Sequence, residues 1–144
     1  MNFYYWAPFL SNVATVQAVI NSAKGIKKYS KNIQPYIINA VGEWCDFEEK
    51  IKQNGIELIS FKKSNTFYNK LPRYSYIKSR FSYLLISFVT LLKLYKFFKS
   101  KNKNDYIILH LITSVPLLII LFFKFKSKFI LRISGLPRLN FFRK

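Results

Sequence analysis

Two short segments hold the residues best placed to do chemistry: Asp105-Tyr-Ile-Ile-Leu-His110 and Leu131-Arg-Ile-Ser-Gly-Leu-Pro137. Each reads as a brief apolar strand closed by polar or Gly/Pro punctuation, with a helical pattern between them. His110, the one histidine of the chain, stands at the C-terminal end of the first strand. In an open parallel α/β sheet, ligands bind in the crevice beyond the carboxyl ends of the strands. That position makes His110 the leading candidate for contact with a ligand. The alternative is a histidine satisfied at a helix N-terminus by Thr113 or Ser114. In the second segment, Gly135 permits a tight turn near a ligand and Ser134 adds a hydroxyl. Arg132 can pair a phosphate or carboxylate, or snorkel outward from its strand. Glu43 and Trp44 follow an earlier strand and fall at the same edge. Asp105 begins its strand, at the wrong end of the sheet for chemistry, and reads as structural.

Other catalytic patterns are absent. There is no Walker loop, no G-x-G-x-x-G, no H-E-x-x-H and no nucleophile elbow. A single cysteine, Cys45, excludes an internal disulfide. With one cysteine and one histidine, the usual multi-Cys/His zinc sites are excluded too. No cofactor or metal is implied.

The elements that must position these residues alternate along the whole chain. Asn2–Trp6 is an aromatic run suited to a buried strand, followed by the loop Ala7-Pro-Phe-Leu-Ser-Asn12 with Ser11 or Asn12 as N-cap. Val13–Tyr29 carries Val13, Val16, Ile20 and Ala23 at helical spacing. Gln34–Asn39 is a second strand, and Asp46–Gln53 a short helix with acids in its first turn. Gly55 is a left-handed stop and Ile56–Phe61 a third strand. Residues 62–73 read as a polar, basic loop, and Tyr74–Phe98 as a long, mostly apolar helix. Tyr106–Leu109, Pro116–Phe123 and Phe129–Ile133 complete the pattern as strand, helix and strand. Leu136–Lys144 reads as a loop turning into an unfinished helix. Strands alternating with helices predict a single α/β domain over 1–144: a Rossmann-like, doubly wound, mainly parallel sheet of about five strands.

The charge narrows the partners. The formal net charge is +18, and it is uneven. Residues 61–144 carry eighteen Lys/Arg against Asp105 alone, whereas residues 1–60 carry six Lys against five Asp/Glu. Such a field favours a phospholipid surface, a diphosphate or nucleic acid. Lys93, Lys96, Lys99, Lys101 and Lys103, with Tyr95, Phe97 and Phe98 among them, suit an anionic membrane surface, each Lys contributing about 1 kcal/mol. No nucleic-acid-binding motif is visible, so nucleic acid is not expected as a partner. The N-terminus lacks the basic start of a cleaved signal peptide.

At this point the residues resemble a known family. The order of elements is similar to the N-terminal half of GT-B glycosyltransferases, family 4 in particular. That family's first strand leads into a Ser/Ala-Pro loop, here Trp6-Ala-Pro-Phe-Leu-Ser-Asn12. A later family strand reads Asp-Ile-Ile-His-x-His, and Asp105-Tyr-Ile-Ile-Leu-His110 keeps its second histidine, with Ile108 in place of the first. Ile130-Leu-Arg-Ile-Ser-Gly-Leu-Pro137 resembles the strand that ends in a Ser-Gly turn at the interdomain cleft. The family's Gly-Gly pair after the first strand is replaced by Ser11-Asn12-Val13, whose side chains hold the backbone farther from a phosphate.

The resemblance implies a transferase that moves a sugar from a nucleotide-sugar to a lipid-linked saccharide acceptor, in cell-surface polysaccharide synthesis. It implies His110 as the catalytic-site residue contacting the donor, with Ser11, Asn12, Glu43, Ser134 and Gly135 binding substrate. Glu43 would orient an acceptor hydroxyl; the alternative is a capping acid before Asp46. The family's donor-binding domain, with its Glu-x7-Glu pair, is not in these residues, so the expectation is a partial enzyme, inactive alone. A peripheral position on the cytoplasmic face of the cell membrane follows. The rival expectation is a small basic membrane protein without catalysis, because Ile107–Phe123 has no formal charge and Tyr83–Phe98 is interrupted only by lysines. A spanning helix wants about 20 predominantly apolar residues.

Overall fold

The computed structural model describes residues 1–10, 14–30, 32–73, 75–110 and 120–132. Among them the elements run β1 (Asn2–Trp6), α1 (Ala14–Tyr29), β2 (Gln34–Asn39), a 3₁₀ turn (Cys45–Phe47), α2 (Glu48–Gln53) and β3 (Glu57–Ser60). They continue with α3 (Thr66–Asn69), α4 (Tyr76–Lys99), β4 (Tyr106–His110) and β5 (Lys128–Arg132). The strands form one sheet in the order β3-β2-β1-β4-β5, and every neighbouring pair is parallel. The Rossmann-like α/β reading is therefore the fold.

Alternation along the strands feeds two cores, one on each face. Tyr5, Ile37 and Ile108 join α1 (Val16, Val19, Ile20, Ala23), Ile51 of α2 and Tyr68 of α3 on one face. Tyr4, Trp6, Ile38, Ile107 and Leu109 pack on the other with Leu94 and Phe98 of α4. Aromatic rings fill the second layer: Phe97 meets Tyr4 edge-on at 5.2 Å, and Phe98 meets Phe129 at 5.5 Å. Strands buried on both faces have no polar side to display, which is why they read as unbroken apolar runs.

β1 and β2 fall where the sequence places them, and the other elements differ by a residue or two at their ends. The expected helix at 46–53 begins as the 3₁₀ turn, with α2 following. Residues 62–73 are not all loop: α3 forms within them, because Tyr68 is buried against Phe9 and Arg73 donates 2.8 Å to the Tyr68 carbonyl. Polar neighbours hid that anchor. The expectation of a membrane span over Ile107–Phe123 fails, since Tyr106–His110 is a strand at the centre of the ladder. Of the expected helix at 116–123, residues 120–122 are described and helical. The stretch at 136–144 lies outside the described residues.

Between β2 and the 3₁₀ turn, Gly42 takes φ +99°, and a Cβ there would sit 2.4 Å from the Ser64 carbonyl oxygen. Gly25, in α1, has nothing within 4 Å of the same position. Gly42→Ala is expected to cost more than about 2 kcal/mol, combining a left-handed backbone with a backbone clash. Gly25→Ala is expected to stabilise by about 0.5–1 kcal/mol through lower helix entropy cost. Urea unfolding midpoints check both.

Candidate functional site

β1 is hydrogen-bonded to β2 on one side and β4 on the other. The connection after β1 leads away toward β2, while the chain beyond β4 continues toward β5. Their divergence opens a crevice at the carboxyl edge, the topological switch point of the sheet. A cleft of about 190 Å³ lies there, lined by Ala14, Thr15 and Ala18 of α1 together with His110 and Arg132.

Strand register brings the two nitrogen-bearing side chains together. His110 is paired with Arg132 across the β4–β5 ladder, so both side chains leave the sheet on one face. Ile108, two residues before His110, packs into the α1-side core, which fixes that face. On α1, Ala14 and Ala18 lie one turn apart on a single stripe, and their small side chains leave the cleft open. The first turn of α1 carries no acidic residue, so the positive end of its dipole is uncompensated by the helix itself.

His110 is 2% exposed, and neither ring nitrogen has a hydrogen-bond partner among the described residues. Burial, reinforced by the Arg132 charge, pulls its pKa from 6.5 down to about 4. At neutral pH the ring is an uncharged imidazole with one donor and one acceptor to offer. Unpaired buried polar groups are costly, so a ligand that satisfies the ring recovers that cost.

Glu43 is used differently. It is 1% exposed, and its carboxylate accepts from the backbone N–H of Ala40 at 3.1 Å and Val41 at 2.7 Å. Asn39 works beside it, its Oδ1 accepting from the N–H of Gly42 and Trp44. Together they clamp the turn that leaves β2. Burial pushes Glu43 up to about 7, against the pull of the surrounding backbone N–H groups. Trp44 is fully buried, edge-on to Phe9 at 4.9 Å, and is core rather than a stacking platform.

Of the expected site residues, His110 lines the cleft, Glu43 is buried in the turn after β2 and does not line it, and Ser11, Asn12, Ser134 and Gly135 lie outside the described residues. Arg132, weighed against a snorkelling role, lines the cleft beside His110. Thr15 and the two alanines were missed; the signal available was small residues at i, i+4 in a first helical turn without acids. Asp105 is structural, as expected: it accepts from Asn2 Nδ2 at 3.1 Å and from the Asn102 N–H at 3.0 Å. These residues border a shallow groove of about 770 Å³ at the opposite, amino edge of the sheet. Among the described residues no group of three or more His, Cys, Asp or Glu could hold a metal ion.

Compared with protein-family models, curated proteins and solved structures, the chain matches none.

Two buried titratable groups, His110 and Glu43, set opposite pH dependences. His110 binds its proton more weakly folded than unfolded, so it leaves stability intact above pH 6.5 and erodes it as pH falls toward about 4. Glu43 holds its proton more tightly folded, so its effect is complete below pH 4.5 and stability is lost as pH rises through about 7. His110→Gln is expected to flatten the acid-side loss and Glu43→Gln the loss toward neutral. Urea unfolding of both variants at pH values spanning these windows provides the check, alongside an NMR titration of the single imidazole.

Proposed function

We propose that this chain is the acceptor-side, Rossmann-like half of a family 4 glycosyltransferase. With a donor-binding domain, it would move a sugar from a nucleotide-sugar onto a lipid-linked saccharide. The observation that carries this reading is the switch-point cleft, where a buried imidazole without a partner among the described residues, a guanidinium and the acid-free first turn of α1 converge.

The chemistry asked of such a site suits those groups. An acceptor hydroxyl attacks the anomeric carbon of the donor, and the nucleoside diphosphate leaves with the bonding electron pair. Negative charge grows on the leaving oxygen, and fixed positive groups and dipoles aimed at it lower the barrier. Arg132 supplies a permanent charge, and α1 supplies its positive end. His110, uncharged at neutral pH, serves as a hydrogen-bond partner to a sugar hydroxyl or phosphate oxygen rather than as a proton reservoir. In this reading Ser11, Asn12, Ser134 and Gly135 bind substrate. Glu43 shapes the edge by holding the turn after β2.

The test uses the 144-residue chain and a nucleoside diphosphate, the group that leaves the donor. NMR is expected to show the His110 ring resonances moving and the imidazole titration midpoint rising from about 4 as the diphosphate approaches. Arg132→Gln is expected to weaken binding about tenfold, a charge-assisted contact being worth about 1.5–3 kcal/mol. Ala18→Leu, which fills the cleft, is expected to abolish binding while holding stability within about 0.5 kcal/mol. A ligand that binds without disturbing His110 would overturn the assignment of the cleft. Sugar transfer by the chain alone would overturn the half-enzyme.

A further inference from the structure

α4 presents an apolar face to solvent that the fold does not need. Ser82, Ile86, Thr90, Leu94 and Phe98 are buried on its inner side. On the opposite side Ile77, Phe81, Leu84, Phe88 and Leu92 recur at helical spacing, and all are exposed, Phe88 by 71% and Leu92 by 72%. Five large apolar side chains in a row along about 22 Å of helix is a patch of the kind that marks an interaction surface.

The patch continues beyond the helix. Tyr95, next on the stripe, packs on Phe123 at 4.7 Å, and Leu121 and Phe122 beside it are each 78% exposed. Basic residues flank it: Lys78, Lys96, Lys99, Lys124 and Lys126 are all exposed. No acid lies nearby in sequence, for Asp105 is the one acidic residue of 61–144 and its carboxylate is committed to Asn2 and Asn102. Of the aromatics set between the lysines, Phe97 and Phe98 are not part of this surface. Phe98 is buried and Phe97 packs against Tyr4 and Phe61.

We propose that the outward face of α4, with Leu121 and Phe122, lies in the headgroup–acyl boundary of an anionic phospholipid bilayer. Charge selects this occupant. An apolar stripe flanked by lysines without carboxylates matches a surface that is negative at the headgroups and apolar just beneath. A second copy of this face would set like charges against each other. By length and composition α4 could cross a membrane. Its inner side, however, is committed to both sheet cores, so the helix lies along the bilayer instead of through it. The inference stands apart from the sugar-transfer reading, and its assay reads lipid binding, not the cleft.

The experiment is co-sedimentation of the 144-residue chain with vesicles of phosphatidylcholine alone or with about one-third phosphatidylglycerol. Binding to the anionic vesicles is expected to be at least about tenfold stronger and to be weakened by salt. A Phe81→Ser, Phe88→Ser, Leu92→Ser variant is expected to lose at least about tenfold in vesicle binding. Its circular dichroism and unfolding midpoint should match the parent, because these side chains support no core. Full binding by that variant overturns the proposal in favour of charge alone. Resistance to alkaline carbonate extraction overturns it in favour of a spanning helix. A lipid-free dimer that the triple variant dissolves, without vesicle binding by the parent, overturns it in favour of self-association.

Discussion

The structure depends on β1 being hydrogen-bonded on both sides, to β2 and to β4. A parallel strand cannot reach its neighbour by a tight turn, so each pairing demands a crossover. The order β3-β2-β1-β4-β5 places β3 at one end of the sheet and β4 beyond β1. The chain must therefore travel back across three strand spacings, about 14 Å, while returning from the carboxyl to the amino edge. α4 makes that crossing, and its 24 residues give about 36 Å of reach. The reversal of direction at β1 opens the cleft, and the same reversal requires the long helix.

The two demands meet in how the helix is used. Ile86 of α4 packs with the α1-side core near the carboxyl edge, while Leu94 and Phe98 close the other face. One inner stripe suffices for both, so the fold places no requirement on the outer stripe. Ile77, Phe81, Leu84, Phe88 and Leu92 are therefore free to answer to something outside the chain.

At the carboxyl edge, two buried ionisable groups meet opposite local conditions. Glu43 is surrounded by backbone N–H groups that accept it into a turn, and it serves shape. His110 is set beside the Arg132 guanidinium, with no partner for either nitrogen among the described residues. The turn after β2 holds an acid that is satisfied, and β4, on the far side of β1, ends in a histidine without a partner among the described residues.

By itself the sequence determined the class of fold and the placement of its main elements. Strand-forming aromatic and β-branched runs, helical spacing in α1 and the punctuation at Gly55 are local signals, and β1 and β2 were legible to the residue. It also determined that His110 ends a strand and that positive charge gathers in the second half. What it left open was long-range. α3 escaped because its anchor, Tyr68 on Phe9, joins residues far apart in the chain. Arg132 could face either way until the β4–β5 register set it opposite His110, a matter of one residue's slip. The outer stripe of α4 was hidden for a related reason: a helix apolar on every side carries no periodic signal of which side is buried. Only packing against the sheet decided that, by covering one face and leaving the other to solvent.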